Sequence, residues 1–302
     1  MNYFDLHCDT VYECSTKGKA LYDNDLQLSL KKGEGFDAWV QTFAFWIDDR
    51  FRGEDAYREF LRECAFFTEA LEQEERLHLY DPQKPMLTGH CYAIPSVEGG
   101  AALGGKLSRV QEFSHMGIKL MTLTWNGDNE LAGGALGSSG LTELGKQAVA
   151  EMERLRMLVD VSHLNDQSFW QVERAAKRPF VASHSNARSV CGHRRNLTDD
   201  MIRAISERGG LIGLNFYVDF LSDDKQANFA QMLRHMEHIL ALGGEGVLAV
   251  GSDFDGAALP GCINSVEKIE KLGQVMVQYF GEPLAGRILF DNARAFYQKF
   301  VF

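Results

Sequence analysis

The feature that most constrains the fold is a regular alternation of short apolar runs with longer amphipathic segments. Eight runs are rich in β-branched and aromatic residues, and several are almost continuously apolar, as strands covered on both faces tend to be. They lie near residues 3–7, 39–45, 91–96, 118–125, 157–161, 180–183, 211–216 and 247–252. This alternation predicts repeated βα units and a parallel sheet.

The segments between the runs have the period of amphipathic helices. One helix face is formed by Tyr57, Phe60, Leu61, Cys64 and Phe67, and segments 144–155 and 229–240 repeat the pattern. Eight strand–helix units predict an α/β fold of the (β/α)₈ TIM-like barrel type. Such barrels reach about 250 residues as one domain, and no linker or internal repeat divides this sequence. We therefore predict a single barrel domain over residues 1–302.

The composition excludes several classes of partner. With 45% apolar and 24% charged residues the chain can build a large core, while its net charge of −11 disfavours nucleic acid and anionic lipid. The amino terminus lacks the pattern of a secretory signal, and no apolar run approaches the roughly 20 residues of a membrane-spanning helix. Six cysteines without CxxC spacing are typical of reduced thiols. We expect a cytoplasmic protein without a membrane partner.

Polar side chains follow the predicted strands at their carboxyl ends, where barrels of this kind place reactive residues. Five of the eight strands end in imidazole or carboxylate groups, which the fold would bring to one mouth of the barrel. These residues are His7, Asp9, Glu98, His163, His184, Asp253 and Asp255.

This set has the chemistry of a two-metal site. His7 and Asp9 are two residues apart on an extended segment, so both face one cation while Cys8 points away. Glu98 can offer both oxygens and bridge two ions about 3.5–4 Å apart, and His163 and His184 would complete the second ion. Nitrogen and oxygen ligands favour two Zn²⁺, with Mn²⁺ or Co²⁺ as substitutes.

Each motif alone is weak, since a single His-x-Asp or a single strand-end histidine is usually structural. Only the coincidence of five ligand-type residues at matching barrel positions favours a metal site. A different arrangement, found in many barrel hydrolases, uses His-x-His and a carbamylated lysine. Lys119 lies at the wrong end of its predicted strand for that role, which leaves Glu98 as the simpler bridge.

At these residues the sequence resembles the renal (membrane) dipeptidase family of zinc peptidases, from Asp5 to about Arg294. The similarity implies a (β/α)₈ barrel with His7, Asp9 and Glu98 on one zinc and Glu98, His163 and His184 on the other. The most specific blocks are Ser183-His184-Ser185, Ser189-Val190-Cys191, Arg194-Arg195-Asn196 and Asp253-Phe254-Asp255-Gly256.

The resemblance also implies that Arg195 binds the substrate's terminal carboxylate and that catalytic Asp253 transfers protons. A guanidinium can grip a carboxylate through two parallel hydrogen bonds, and a carboxylate beside the metals can move a proton. Two alternatives stay open. Arg195 could form a surface ion pair like its neighbours Arg188 and Arg194, and Asp255 could act in place of Asp253 or orient a ligand.

One departure from the family concerns the residue after Thr122-Leu123-Thr124. Mammalian members have a substrate-binding histidine there, whereas this chain has Trp125-Asn126. An indole cannot become a cation, so we expect Trp125 to shape the pocket instead. Asn126, Asn215 and Tyr217 are the candidate replacements for the missing polar contact.

We therefore predict a metal-dependent dipeptidase in which a metal-bridging hydroxide attacks the peptide bond of dipeptides, L,D-dipeptides included. One alternative is another two-metal amidohydrolase, acting on N-acyl amino acids, lactones or related small carboxylated substrates, or on phosphoesters. The other is a non-catalytic family member. The family suggests a homodimer, although no apolar stripe in the sequence argues for one.

Overall fold

The structure is a computed structural model that describes residues 1–302, and its centre is one parallel sheet. Every paired strand runs parallel to its neighbours. The strands are β1 (Asn2–Cys8), β2 (Ala38–Trp46), β3 (Leu77–Leu79), β4 (Cys91–Glu98), β5 (Leu120–Thr122), β6 (Leu158–Asp160), β7 (Val181–Ala182), β8 (Leu211–Leu214) and β9 (Leu248–Val250).

Eight of these strands close into a barrel. Their order is β2-β1-β9-β8-β7-β6-β5-β4, and pairing of β2 with β4 completes the ring. This confirms the predicted (β/α)₈ barrel, and all eight predicted strands are present. β3 was not predicted. It adds a short ninth strand beside the first residues of β4, and its three residues are too few to show the alternation of apolar and polar side chains that is typical of a strand.

Helices separate the strands and surround the barrel. Four of them begin at a side-chain cap, in which Thr142, Asn165, Thr198 or Asn228 accepts a backbone N–H of the first turn. No helix combines the length and the apolar character needed to cross a membrane. The helices are α1 (Thr10–Lys17), α2 (Gly53–Gln73), α3 (Ser108–His115), α4 (Glu143–Arg154), α5 (Asp166–Ala175), α6 (Asp199–Glu207), α7 (Val218–Leu221), α8 (Phe229–Gly243), α9 (Ile269–Phe280), α10 (Glu282–Gly286) and α11 (Asn292–Phe300).

The hydrophobic core consists of two clusters. A cluster of 68 buried residues packs the helices against the strands. A second cluster of 17 takes at least one residue from each barrel strand, including Phe4, Val40 and Ile94, and packs them against Phe296 and Tyr297 of α11. Apolar side chains thus close one end of the barrel, which leaves the carboxyl ends of the strands to carry polar groups.

Close backbone packing fixes the strand ends near the polar mouth. A Cβ added to Gly213 in β8 would lie 1.8 Å from the carbonyl oxygen of Ser183, and one added to Gly251 would meet the same oxygen at 1.8 Å. Both positions therefore require glycine, and the loop after β7 is held against its neighbours.

We predict that Gly213→Ala destabilises the protein, because the new methyl group cannot fit against a backbone oxygen. Overpacking of this kind costs about 1–3 kcal/mol, so the urea midpoint should fall clearly. Gly35→Ala is the matched control, since nothing lies within 4 Å of a Cβ at that exposed position. Equal midpoints for the two variants would contradict the close packing of β7 and β8.

Candidate metal centre and active site

The carboxyl ends of the barrel strands surround a cavity of about 410 Å³. His7 and His184 are fully buried at its base, at 1% and 0% exposure. Eight further predicted site residues line the cavity, and they follow seven different strands. They are Asp9, Glu98, Trp125, Asn126, His163, Arg195, Tyr217 and Asp253.

The backbone at this mouth departs from regular strand geometry. The pairing register of β1 shifts between Asp5 and Cys8, just where the predicted ligands begin. His163 and Asp253 have φ values of 70° and 64°, in the left-handed region that favours glycine. Such conformations cost about 1–3 kcal/mol each and occur mainly where surrounding structure enforces them. They turn both side chains toward the cavity.

Glu98 lies at the centre of the cluster, and its two oxygens face different partners. Oε2 is 3.5 Å from Nε2 of His7, while Oε1 is 2.7 Å from Nε2 of His163 and 3.4 Å from Nε2 of His184. The two latter nitrogens are 2.9 Å apart. The two oxygens of this carboxylate therefore have different nearest imidazoles, His7 for Oε2 and His163 for Oε1.

Around His7 the cluster is richer in carboxylate than expected. Nε2 of His7 is 3.2 Å from Oδ2 of Asp9 and 3.8 Å from Oδ1 of Asp253. Ligand atoms of His7, Asp9 and Asp253 form one compact group, and those of His7, Glu98 and His184 form another. Asp253 thus belongs to the same compact group of potential ligand atoms as His7 and Asp9.

Unsatisfied polar atoms indicate that this cluster fits a cation. Nδ1 of His7 and Oδ1 of Asp9 are buried without any hydrogen-bond partner, which is costly in a protein interior. A Cβ at Gly256 would lie 2.0 Å from Asp9 and 2.6 Å from Asp253, so this glycine gives both carboxylates their room. Nitrogen and oxygen donors in a buried, carboxylate-rich site are typical of a transition-metal centre.

The protein alone balances these charges poorly. Burial lowers the pKa of His7, but the charges of Glu98 and Asp9 outweigh it and raise that pKa well above its ordinary value. Burial, with Glu98 nearby, raises the pKa of Asp9 well above its usual range. Burial and the Arg195 charge lower the pKa of His163 to about 4. A bound cation would compensate the charge of the buried carboxylates that the histidines do not neutralise.

Arg195 differs sharply from the neighbouring arginines. Its side chain lines the cavity at 6% exposure, and Nε and Nη2 are buried without partners. Burial lowers its pKa to about 10, yet the group stays cationic near neutral pH. By contrast, Arg188 pairs with Asp166 on the exposed surface, and Arg194 donates to the carbonyl oxygen of Ala135. The cavity therefore contains one desolvated cation.

Asp253 and Asp255 lie in different surroundings. Oδ2 of Asp253 accepts a hydrogen bond of 2.9 Å from the side chain of Asn215, and burial raises the pKa of Asp253 above its ordinary value. Asp255 instead accepts from the Thr10 hydroxyl and from the backbone N–H groups of Gln27 and Leu28. Asp255 thus anchors the loop after α1, while Asp253 faces the cluster.

An aromatic wall forms one side of the cavity. Trp125 packs edge-on against Trp46, with ring centroids 4.9 Å apart, and Trp46 packs edge-on against Tyr12 at 4.6 Å. Sequence reasoning singled out Trp125 but missed Tyr12 and Trp46. Trp46 directly follows the predicted strand of residues 39–45 and is the last residue of β2, so its position at a carboxyl end was the available signal.

The two remaining candidates, Asn126 and Tyr217, each have a hydrogen-bonding partner. Oδ1 of Asn126 lies 3.1 Å from Nδ1 of His163. Tyr217 lines the cavity and donates its hydroxyl to Asp219 at 3.2 Å. Asn215, the third suggested replacement, is fully buried and contacts Asp253 rather than open space.

This barrel with its buried carboxylate–imidazole cluster can be compared with known proteins. The model of the membrane dipeptidase family, peptidase family M19, matches residues 1–293. The chain belongs to the membrane dipeptidase family. The predicted resemblance is thereby confirmed, and with it the expectation of a metal-dependent hydrolase and peptidase. An uncharacterized protein in the pqqA 5′ region of Klebsiella pneumoniae is 34% identical over 191 residues, 59% of this chain and 70% of that protein.

Solved structures agree with this membership. The dipeptidase AC is 27% identical, with a TM-score of 0.92 over 100% of this chain and 99% of its own. A metallo peptidase from Rhodobacter sphaeroides, solved with a phosphinate mimic of the dipeptide L-Ala-D-Ala, is 25% identical, with a TM-score of 0.91 over 99% of both chains. Membership in the dipeptidase family supports dipeptide hydrolysis over the alternative reactions.

We predict that Zn²⁺ raises the thermal midpoint of metal-free protein, because a cation relieves the carboxylate crowding. Free ligand at a hundredfold excess over Kd adds about 2.7 kcal/mol, so the midpoint should rise by several degrees. Glu98→Gln should remove most of the rise, whereas Glu245→Gln, at an exposed carboxylate paired with Arg287, should keep it. Calorimetry with and without Zn²⁺ checks this. An equal rise in Glu98→Gln would place the ion elsewhere.

Proposed function

We propose that this member of the family is a binuclear zinc dipeptidase that takes dipeptides with a free terminal carboxylate. The observation that carries the proposal is the buried, unpartnered guanidinium of Arg195 in the same cavity as the carboxylate–imidazole cluster. A desolvated cation without a counter-ion is a binding site for an anionic group. Because the Arg195 guanidinium and the cluster share one cavity, a small substrate with a carboxylate could contact both.

Two ions would be held by this chain's own side chains. His7, Asp9 and Glu98 would hold the first, and Glu98, His163 and His184 the second, with Zn²⁺ preferred and Mn²⁺ or Co²⁺ as substitutes. When bound, such a pair lowers the pKa of water and polarises a carbonyl oxygen. The separate orientation of the two Glu98 oxygens supports this bridging assignment.

Arg195 would fix the substrate's length. It follows β7, four strands from β2 in either direction round the eight-stranded ring. A carboxylate held by Arg195 would leave room for one residue between it and the cluster. Because a longer peptide would place its carboxylate beyond reach, Arg195 would select dipeptides.

Asp253 would handle the protons of the reaction. It faces the cluster, 3.8 Å from His7, and its other oxygen is held by Asn215. Burial raises its pKa, which makes it a better proton acceptor than an ordinary carboxylate. It would take a proton from the attacking water and deliver it to the departing amine nitrogen.

The residue before the scissile bond would then lie on the aromatic wall of Tyr12, Trp46 and Trp125. The wall includes the end of β2, across the ring from the strand that leads to Arg195. Trp125 would thus act through apolar contact. Tyr217, with Asn126 at the cavity edge, would supply polar contacts to the substrate.

The first experiment measures metal content together with hydrolysis of L,L- and L,D-dipeptides and matched N-acyl amino acids. The ligand of the Rhodobacter sphaeroides relative mimics L-Ala-D-Ala, so the L,D series belongs in the panel. Two equivalents of transition metal with chelator-sensitive dipeptide turnover are expected. If the protein binds metal but hydrolyses only the N-acyl amino acids, the dipeptidase proposal is wrong and the substrate is an N-acyl amino acid.

We predict that Arg195→Met impairs dipeptides specifically. Loss of one member of a buried charge pair costs about 2–5 kcal/mol, so kcat/KM should fall roughly 30- to 5,000-fold. The loss should nearly vanish on the corresponding dipeptide amides, which carry no carboxylate. Arg194→Met is the matched control, because Arg194 does not line the cavity. An equal loss on acids and amides would remove Arg195 from carboxylate binding.

We predict that Asp253→Asn lowers kcat by about 10²–10⁴-fold, the range of general acid–base catalysis, while metal content is retained. Asp255→Asn should instead lower the unfolding midpoint, since Asp255 holds Thr10 and the backbone of Gln27. Steady-state kinetics and metal analysis of both variants check this. Loss of one equivalent of metal from Asp253→Asn would make Asp253 a ligand instead of the proton carrier.

A further inference from the structure

A fully buried carboxylate, Asp160, lies at the end of β6 beneath the second metal position. Its Oδ1 accepts backbone N–H groups of Ser162 and Ser183, both at 3.0 Å. Its Oδ2 accepts the hydroxyls of Thr122 at 2.8 Å and Ser183 at 2.5 Å. Four donors therefore hold this carboxylate in one orientation, and Asp160 itself does not line the cavity.

Ser183 connects Asp160 to a predicted metal ligand. Its Oγ lies 2.7 Å from Nδ1 of His184. A hydroxyl has one proton to donate, and donation to Asp160 leaves only lone pairs for the imidazole. If the proton went to the ring instead, two oxygen lone pairs would face each other at 2.5 Å without a proton between them. The hydrogen bonds therefore run from His184 through Ser183 to Asp160.

We propose that Asp160, acting through Ser183, is a positioning residue that keeps the proton of His184 on Nδ1. A neutral imidazole protonated at Nδ1 has its free lone pair on Nε2. That nitrogen faces Oε1 of Glu98 at 3.4 Å, where the second ion would bind. This inference deepens the proposed function and rests on its metal site.

A second buried carboxylate shows that the connection to a ring is not a consequence of the strand geometry. Asp5 accepts the N–H groups of His7 and Ser252, and the hydroxyls of Ser252 and Tyr3, in the same pattern as Asp160. None of these groups contacts a ring nitrogen, and Nδ1 of His7 has no partner. Both carboxylates tie neighbouring strands together, but only Asp160 is connected to the imidazole ring of a predicted metal ligand.

The other histidine of the second position is anchored at the equivalent atom. Nδ1 of His163 faces Oδ1 of Asn126 at 3.1 Å, and the Nε2 atoms of His163 and His184 converge at 2.9 Å. Partners of this kind fix both the tautomer and the ring orientation of a ligating histidine. The second position is therefore pre-oriented through two independent contacts.

Ser183→Ala tests the inference, because it removes the hydroxyl while Asp160 keeps both backbone donors and Thr122. Loss of such a partner weakens metal binding about 10–100-fold. We expect this weakening for one of two equivalents of Zn²⁺ in competition with a chelator. Thr122→Val is the matched control: it removes a hydroxyl from the same Asp160 oxygen but leaves Ser183 and His184 in contact, so both affinities should stay at the wild-type value.

The tautomer provides a second readout, which is measured on the wild-type protein and does not depend on activity or on the folding of Ser183→Ala. In ¹⁵N-histidine spectra, assigned with His184→Gln, the metal-free wild-type protein should carry the His184 proton on Nδ1. A proton on Nε2 would overturn the inference, as would wild-type affinity for both ions in Ser183→Ala. Wild-type protein that binds no metal would overturn the proposed function and this inference together. Two tightly bound ions in both the wild type and Ser183→Ala would overturn the inference alone.

Discussion

The carboxylate of Glu98 is the group on which the rest of the site depends. Its two oxygens face two sets of ligand atoms, and it is the third carboxylate of a buried region that also holds Asp9 and Asp253. Buried charges are tolerated only when they are paired or coordinate a metal. The site's histidines provide incomplete compensation, because burial drives His163 and His184 toward their neutral forms by lowering the pKa of both. The cluster is therefore suited to a cation, and metal binding and local stability should be linked.

The barrel makes this concentration of charge possible by separating its two ends. At the amino end, a cluster including Phe4 and Tyr297 packs apolar side chains from every barrel strand together, and its burial contributes stability that the mouth lacks. At the carboxyl end, His163 and Asp253 adopt left-handed backbone conformations, and unpartnered polar atoms remain. Asp160 lies between the apolar amino end and the polar carboxyl end of the barrel. Its hydrogen bonds join neighbouring strands and also reach His184, so one carboxylate serves both the fold and the proposed metal site.

The sequence could predict the barrel and the residues at its mouth, because strand periodicity and the carboxyl-end rule act locally along the chain. Without the family resemblance, which implied Arg195, the residue pattern alone could not choose among Arg188, Arg194 and Arg195, which have the same charge within a few residues. Burial separates them, and burial depends on how the loop after β7 folds over the cavity. The short strand β3 was missed because three residues show no period, and the wall formed by Tyr12 and Trp46 depends on contacts between distant segments. The link from Asp160 to His184 likewise requires three side chains at hydrogen-bonding distance.

Trp125 shows how a family barrel can change its substrate surface without changing its proposed metal ligands. An indole has no second protonation state at neutral pH, so it cannot supply the cationic contact of a histidine. Its edge instead meets Trp46 and extends an apolar surface from Tyr12 toward His163. The cavity's unpartnered positive charge then comes from Arg195, on the side away from β2. In the proposed orientation, charge recognition would act on the carboxylate end of the substrate, and shape and apolar contact would act on the other residue. A dipeptide with a large apolar first residue would satisfy both halves of that cavity.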